Sequence, residues 1–273
     1  MITAESWQVA QMVVDRGPAG DGSRASGYLV APGLVLTAAH VAAGASAVQV
    51  RLDVGQRVEV DVQAEGWWAD PEGHNGTDLA VVMIPAEATA RRDAVRAPCG
   101  RIRDGTAVLA VQAFRFPLFK LRASPASKGE PGAFRDLEQV TGHAPVAANR
   151  RQGTLAVHSD DPPPASPEPG GLSPWEGMSG AAVWAAGRIV AVVAEHHPGE
   201  GTGRLTARRI DRVYELLSES DIGRLVEWLG LAPAIGALPD VVPAEPGQLV
   251  RSAYLEQVHD MVKSIFEDSF TKR

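Results

Sequence analysis

Three short stretches of the sequence carry side chains that can move a proton and attack a carbonyl. His40 closes Thr37-Ala38-Ala39-His40, Asp78 stands immediately before the apolar run Leu79-Ala80-Val81-Val82, and Ser179 lies in Gly177-Met178-Ser179-Gly180. A serine hydroxyl is a weak nucleophile at neutral pH until an imidazole takes its proton. The imidazole in turn needs an acid on its other nitrogen to fix the tautomer and stabilise the cation. The three contexts fit the roles of base, acid and nucleophile. Asp70 and Glu72 are rivals for the acid, but neither precedes a strand-like run. Attack on a carbonyl also leaves negative charge on its oxygen, which two converging backbone N–H groups stabilise in a tight turn. A glycine two residues ahead of Ser179 lets the amides of Gly177 and Ser179 curl inward to do so.

Other polar clusters read as structural. Glu195-His196-His197 lies on a strand-like run, where neighbouring side chains point to opposite faces and cannot share one ion, so no metal or cofactor is expected. His158-Ser159-Asp160-Asp161 reads as a solvated turn, Trp67-Trp68 as packed aromatics, and Gly199-Glu200-Gly201-Thr202-Gly203 as a hairpin connection, because no helix follows to hold a phosphate. The single cysteine, Cys99, reads as a packing thiol.

The elements that must position these residues are short, Val-rich runs punctuated by Gly, Pro, Asp or Asn, which predict strands. They span 8–14, 27–30, 34–37, 47–52, 58–63, 79–84, 107–113, 137–141, 153–157, 181–184, 188–194 and 204–210. Pro117–Ala133 and the six-proline stretch Asp160–Pro174 predict long surface loops. Beyond them Val213, Leu216, Leu217, Ile222, Leu225, Val226 and Leu229 recur at helical spacing, with Gly230 as the stop. The organisation is a body over 1–212 (first half about 5–110, second 111–212), a helical extension at 213–230, a linker at 231–248 and an amphipathic helix at 249–273. The apolar stripe over 249–266 cannot be buried by one helix alone, which predicts docking on a protein partner or a second copy, with folding back on the body as the alternative.

The chain has 273 residues with 28 Gly and 20 Pro, which favours turns over long helices and an all-β body. A net charge of -7, with no basic run, argues against nucleic-acid binding. No apolar stretch reaches membrane-spanning length, and the first residues lack the pattern of a signal peptide. One cysteine suits a reducing compartment, so a cytoplasmic location is expected.

Ser26-Gly27-Tyr28-Leu29-Val30-Ala31-Pro32-Gly33-Leu34-Val35-Leu36-Thr37-Ala38-Ala39-His40-Val41, Thr77-Asp78-Leu79-Ala80-Val81-Val82 and Gly177-Met178-Ser179-Gly180-Ala181-Ala182-Val183 together resemble the trypsin/chymotrypsin-like serine proteases. The resemblance runs over about residues 5–212 and is nearest the bacterial HtrA and glutamyl-endopeptidase branch. It implies two six-stranded antiparallel β-barrels, with His40 as general base, Asp78 as its orienting acid, Ser179 as nucleophile, and Gly177 with Ser179 as the oxyanion hole. The implied activity is endopeptidase cleavage of a protein or peptide through an acyl-enzyme; the rival is a catalytically silent fold used as a binding module. The run from Ser173 to Val183 also resembles cytosolic trypsin-like peptidase modules of actinobacterial multidomain proteins.

The sequence departs from the family pattern in several places. Met178 replaces the aspartate that receives a new N-terminus in the family's zymogens, so activation by such a terminus is not expected. Arg115 stands where bacterial members have the glycine of Gly-Phe-Pro. By position, the resemblance puts Ser173, Val193, Ala194 and Glu195 around the primary specificity pocket. Val193 in place of the histidine of glutamyl endopeptidases predicts a neutral pocket, unless Glu195 turns inward to select Arg or Lys.

Overall fold

A computed structural model describes residues 8–17, 22–52, 56–60, 67–69, 77–89, 96–105, 107–123, 133–163 and 172–242. The stripe at 249–266, the rivals Asp70 and Glu72, and the side chains of Trp67 and Trp68 lie outside the described part. The fold is all-β, in two halves. The first is a seven-stranded antiparallel sheet of β1 (Val9–Asp15), β2 (Ser23–Ala31), β3 (Leu34–Thr37), β4 (Ala47–Leu52), β5 (Gln56–Val60), β6 (Trp67–Ala69) and β7 (Leu79–Met83), ordered β5-β4-β1-β2-β3-β7-β6. β5 pairs with β4 and β6 with β7, but β5 and β6 do not pair with each other among the described residues, so the first of the two expected six-stranded barrels is an open half-barrel. After β8 (Arg101–Ile102), the second half is a closed barrel ordered β12-β13-β16-β15-β14-β9. Its strands are β9 (Val108–Arg115), β12 (Glu138–Pro145), β13 (Thr154–Ser159), β14 (Ala182–Ala185), β15 (Arg188–Glu195) and β16 (Arg204–Arg209).

Strand periodicity explains which faces are covered. In β9 Leu109, Val111, Ala113 and Arg115 are buried and alternate with partly exposed neighbours, the pattern of a strand with one face inward. In β15 every residue from Ile189 to Ala194 is buried. Val190, Ala191 and Val193 fill the second barrel, while Ile189 and Val192 join the core of the first sheet. A strand covered on both faces reads as a continuous apolar run. The halves meet at Tyr28 and Trp184, whose rings pack edge to face at 5.2 Å.

Two expectations need correction and one is refined. Pro117–Ala133 is not all loop: it holds a 3-10 turn at Leu118–Lys120 and β10 (Leu121–Ala123), which pairs with β11 (Ala133–Arg135). The helical extension is broken in two, Val213–Leu216 and Glu219–Leu229, because the Ser218 hydroxyl accepts from Asp221 N and starts a new helix. The stretch expected as a linker is anchored as far as β17 (Asp240–Val241), which pairs in parallel with β8, while Leu231, Leu238 and Val241 are buried.

Candidate active site

β3 ends at Thr37 and the chain turns into one helical turn, Ala39–Ala42, that carries His40. β7 is the antiparallel neighbour of β3, so the residue just before it, Asp78, arrives at the same edge. Three hydrogen bonds then fix the pair. Asp78 O accepts from Ala39 N at 3.1 Å, Oδ1 from His40 N at 2.9 Å, and Oδ2 meets His40 Nδ1 at 2.8 Å. With Nδ1–H given to the carboxylate, Nε2 is left as the proton acceptor. Asp78 is buried and sits at φ +40°, a left-handed conformation that costs about 1–3 kcal/mol and persists where surrounding bonds over-determine it.

Ser179 lies in a chain of tight turns. Glu176 N bonds Ser173 O at 2.9 Å, Met178 N bonds Trp175 O at 2.9 Å, Gly180 N bonds Val193 O at 2.8 Å and Ala181 N bonds Met178 O at 3.0 Å. The amides skipped by this sequence are those of Gly177 and Ser179, which donate to nothing among the described residues. The Glu176 carbonyl accepts from Leu118 N at 2.9 Å and Arg135 Nη1 at 3.1 Å. Because a trans peptide points its C=O and N–H in opposite directions, these two donors turn the Gly177 N–H the other way. Arg135 is itself held by an ion pair with the Glu176 carboxylate. Gly177 is at φ +93°, and a Cβ there would press on the Phe116 carbonyl and Arg135. Ser179 Oγ donates to Ala194 O at 3.0 Å, not to His40.

Ser26, fully buried on β2, ties the two halves of the site together. Its N–H donates to Ser179 O at 2.9 Å, its hydroxyl to Gly177 O at 2.7 Å, and its carbonyl accepts from Thr37 Oγ1 at 2.8 Å. Thr37 is three residues before His40, so one short run of bonds joins the histidine's strand to the serine's loop.

The trypsin family model matches residues 2–108, which include His40 and Asp78. Solved structures align over both halves. HtrA-type protease AlgW shares 19% identity over 83% of this chain and 62% of its own, with a TM-score of 0.51. HL collagenase shares 14% over 85% of this chain and 97% of its own (TM-score 0.52), and a Glu endopeptidase 15% over 77% and 89% (TM-score 0.52). The fold is that of the trypsin-like serine proteases. A search of the curated proteins finds no match.

Within this trypsin-like fold the four residues expected around a specificity pocket have different partners. Val193 points into the second barrel's core, and Ala194 offers its carbonyl to Ser179. Glu195 does not turn inward: its carboxylate lies 3.2 Å from His197 and 3.7 Å from Arg208. Ser173 Oγ bonds His196 Nδ1 at 2.8 Å, and His196 Nε2 bonds Gly201 O at 3.1 Å. With Nε2 as the donor to that carbonyl, Nδ1 accepts from the Ser173 hydroxyl. Four residues that the sequence reading did not single out for these contacts shape the site: Ser26, Arg135, His196, and Arg115, whose Nη1 reaches Met178 Sδ beside Ser179. Only Arg115 leaves a sequence signal, a charge at an inward position of β9's alternation.

Proposed function

We propose that the protein is a serine endopeptidase. His40 Nε2 takes the proton of Ser179 Oγ as the oxygen attacks a peptide carbonyl, Asp78 holds the imidazole and then the imidazolium, and the amides of Gly177 and Ser179 receive the oxyanion. The same proton passes to the leaving amine, and water then releases the acyl group by the reverse route. The observation that carries this reading is the pair of unengaged amides of Gly177 and Ser179, in a loop bonded to the strand that leads to His40. The bond from Ser179 Oγ to Ala194 O must break for the hydroxyl to reach His40. That bond favours a second reading, a silent fold or one that waits for a partner bound by the stripe at 249–266. The lone Cys99 fits a reducing compartment, and we assign the activity to the cytoplasm. Labelling of the full chain with a fluorophosphonate tests this: Ser179 should carry the adduct, and Ser179→Ala and His40→Ala should each lose it. A wild-type protein that stays unlabelled in purified form and in lysate supports the silent fold.

A further inference from the structure

Behind the Ser179 loop a cation lies buried without a full counterpart. Arg115 takes the last inward position of β9 and is 1% exposed. Its Cζ lies 3.9 Å from the centre of the Trp175 ring and 5.5 Å from that of Phe119. Nη1 reaches Met178 Sδ at 2.7 Å, a weak acceptor, and Nε has no acceptor among the described residues. Glu138, opposite Arg115 in β12, gives its carboxylate to Lys120. Burial pushes the guanidinium's pKa well below its ordinary value, with the Glu138 charge opposing that drop. A buried charge so poorly matched is costly, and a carboxylate presented to its fork would remove the cost.

The space for one exists. A cavity of about 290 Å³ is lined by Arg115 and Lys120, by Phe119 and Val140, and by the carboxylates of Glu138 and Asp161. We propose that it binds a monoanionic carboxylate bearing a short apolar chain, with Arg115 as the main counterion. The two carboxylates in the wall disfavour a dianion such as phosphate, while Phe119 and Val140 accept the alkyl part. A free organic acid and the C-terminus of a peptide share this chemistry. Trp175 and Met178 belong to the loop that presents Gly177 and Ser179, so a carboxylate on Arg115 braces that loop. This link to activity rests on the function proposed above.

The test uses the full-length Ser179→Ala protein, whose melting temperature is followed against sodium butyrate, with sodium chloride at equal ionic strength as control. An acetylated tripeptide ending in valine, and its C-terminal amide, form the second arm. The expected result is a saturable rise with butyrate, with the tripeptide acid or with both, and none with the amide; whichever acid acts names the source. Arg115→Met should abolish the rise. Lys120→Gln should weaken binding about tenfold, and Glu138→Gln should tighten it. No saturable rise, or one that survives Arg115→Met, overturns the site. If Arg115→Met does not fold, equal affinity in the Lys120 and Glu138 variants overturns it instead. Fluorophosphonate labelling of the wild type is read separately: faster labelling with bound acid supports the brace. A thermal shift without any labelling counts against the hydrolase reading and leaves the site standing.

Discussion

Asp78 gives both carboxylate oxygens to one residue, His40, through the backbone amide and the ring. Asp78→Asn can keep the first bond but turns an amide donor or an unsuited oxygen toward Nδ1. In the wrong tautomer His40 cannot accept a proton at Nε2, so turnover should fall by about 10⁴ while melting shifts little. Near-wild-type activity in that variant would return the acid role to Asp70. Arg135 acts one step away, through the Glu176 carbonyl that it shares with Leu118 N. Arg135→Ala frees that peptide to rotate, and under the proposed mechanism, in which the Gly177 amide receives the oxyanion, kcat should fall by about 10²–10³ with little change in KM. Arg135→Lys should recover part of it, a rescue that a purely structural role would not produce. With Glu195 engaged by His197 and Arg208, a peptide library should show a neutral residue preferred over an acidic one before the cut, and Glu195→Gln should not alter that order.

β2 and the Ser179 loop approach so closely that only a glycine fits at position 180. Its φ is +88°, and a Cβ there would overlap the Ser26 carbonyl and Thr37 Oγ1. Gly180→Ala should therefore unseat the loop and abolish labelling at Ser179. β12 and β13 bring His143 and His158 into a stack, ring centres 5.2 Å apart. Burial, and then the charges of His143 and Arg204, lower the pKa of His158, opposed by Glu200. A histidine depressed in the folded state destabilises the protein as pH falls below its unfolded value, about 6.5. The melting temperature should drop below that pH, and less so in His158→Gln. Strands of this kind were legible in the sequence wherever a turn residue bounds them: Leu34–Thr37 and Ala47–Leu52 match residue for residue. β8, β10 and β11 were not, because two or three residues show no period. The neighbourhoods of His40, Asp78 and Ser179 were legible because each is a local pattern. The parts played by Arg135 and Ser26 depend on groups 41 and 151 residues away, a separation that no short motif records.

Across the whole molecule, the cores are not separate, since Ile189 and Val192 of the second half belong to the same buried cluster as Val30 and Leu36 of the first. Cys99 lies in that shared core, and burial raises its thiol to about 12, with Arg188 pulling the other way. Burial likewise raises Tyr214 to about 12, helped by Cys99 and Asp211. Raised acids stabilise the fold below their unfolded pKa values and cease to do so as pH climbs through the folded ones. Stability should therefore decline from about pH 9 upward, and iodoacetamide should modify Cys99 only when the protein unfolds. A different consequence comes from the short parallel pair of β8 and β17. Arg101 and Asp240 are bonded side by side although 139 residues separate them, and Arg103 grips the same carboxylate at 2.6 Å. Closing a loop of that length costs about 4 kcal/mol of chain entropy, so the clasp should assemble after the barrel between its ends. Under tension the order inverts. A pull from outside the clasp reaches β8 at its start and β17 at its finish, so a parallel pair takes the load in shear, all its bonds at once. The barrel enclosed between them is thereby shielded from a mechanical force until Asp240 lets go.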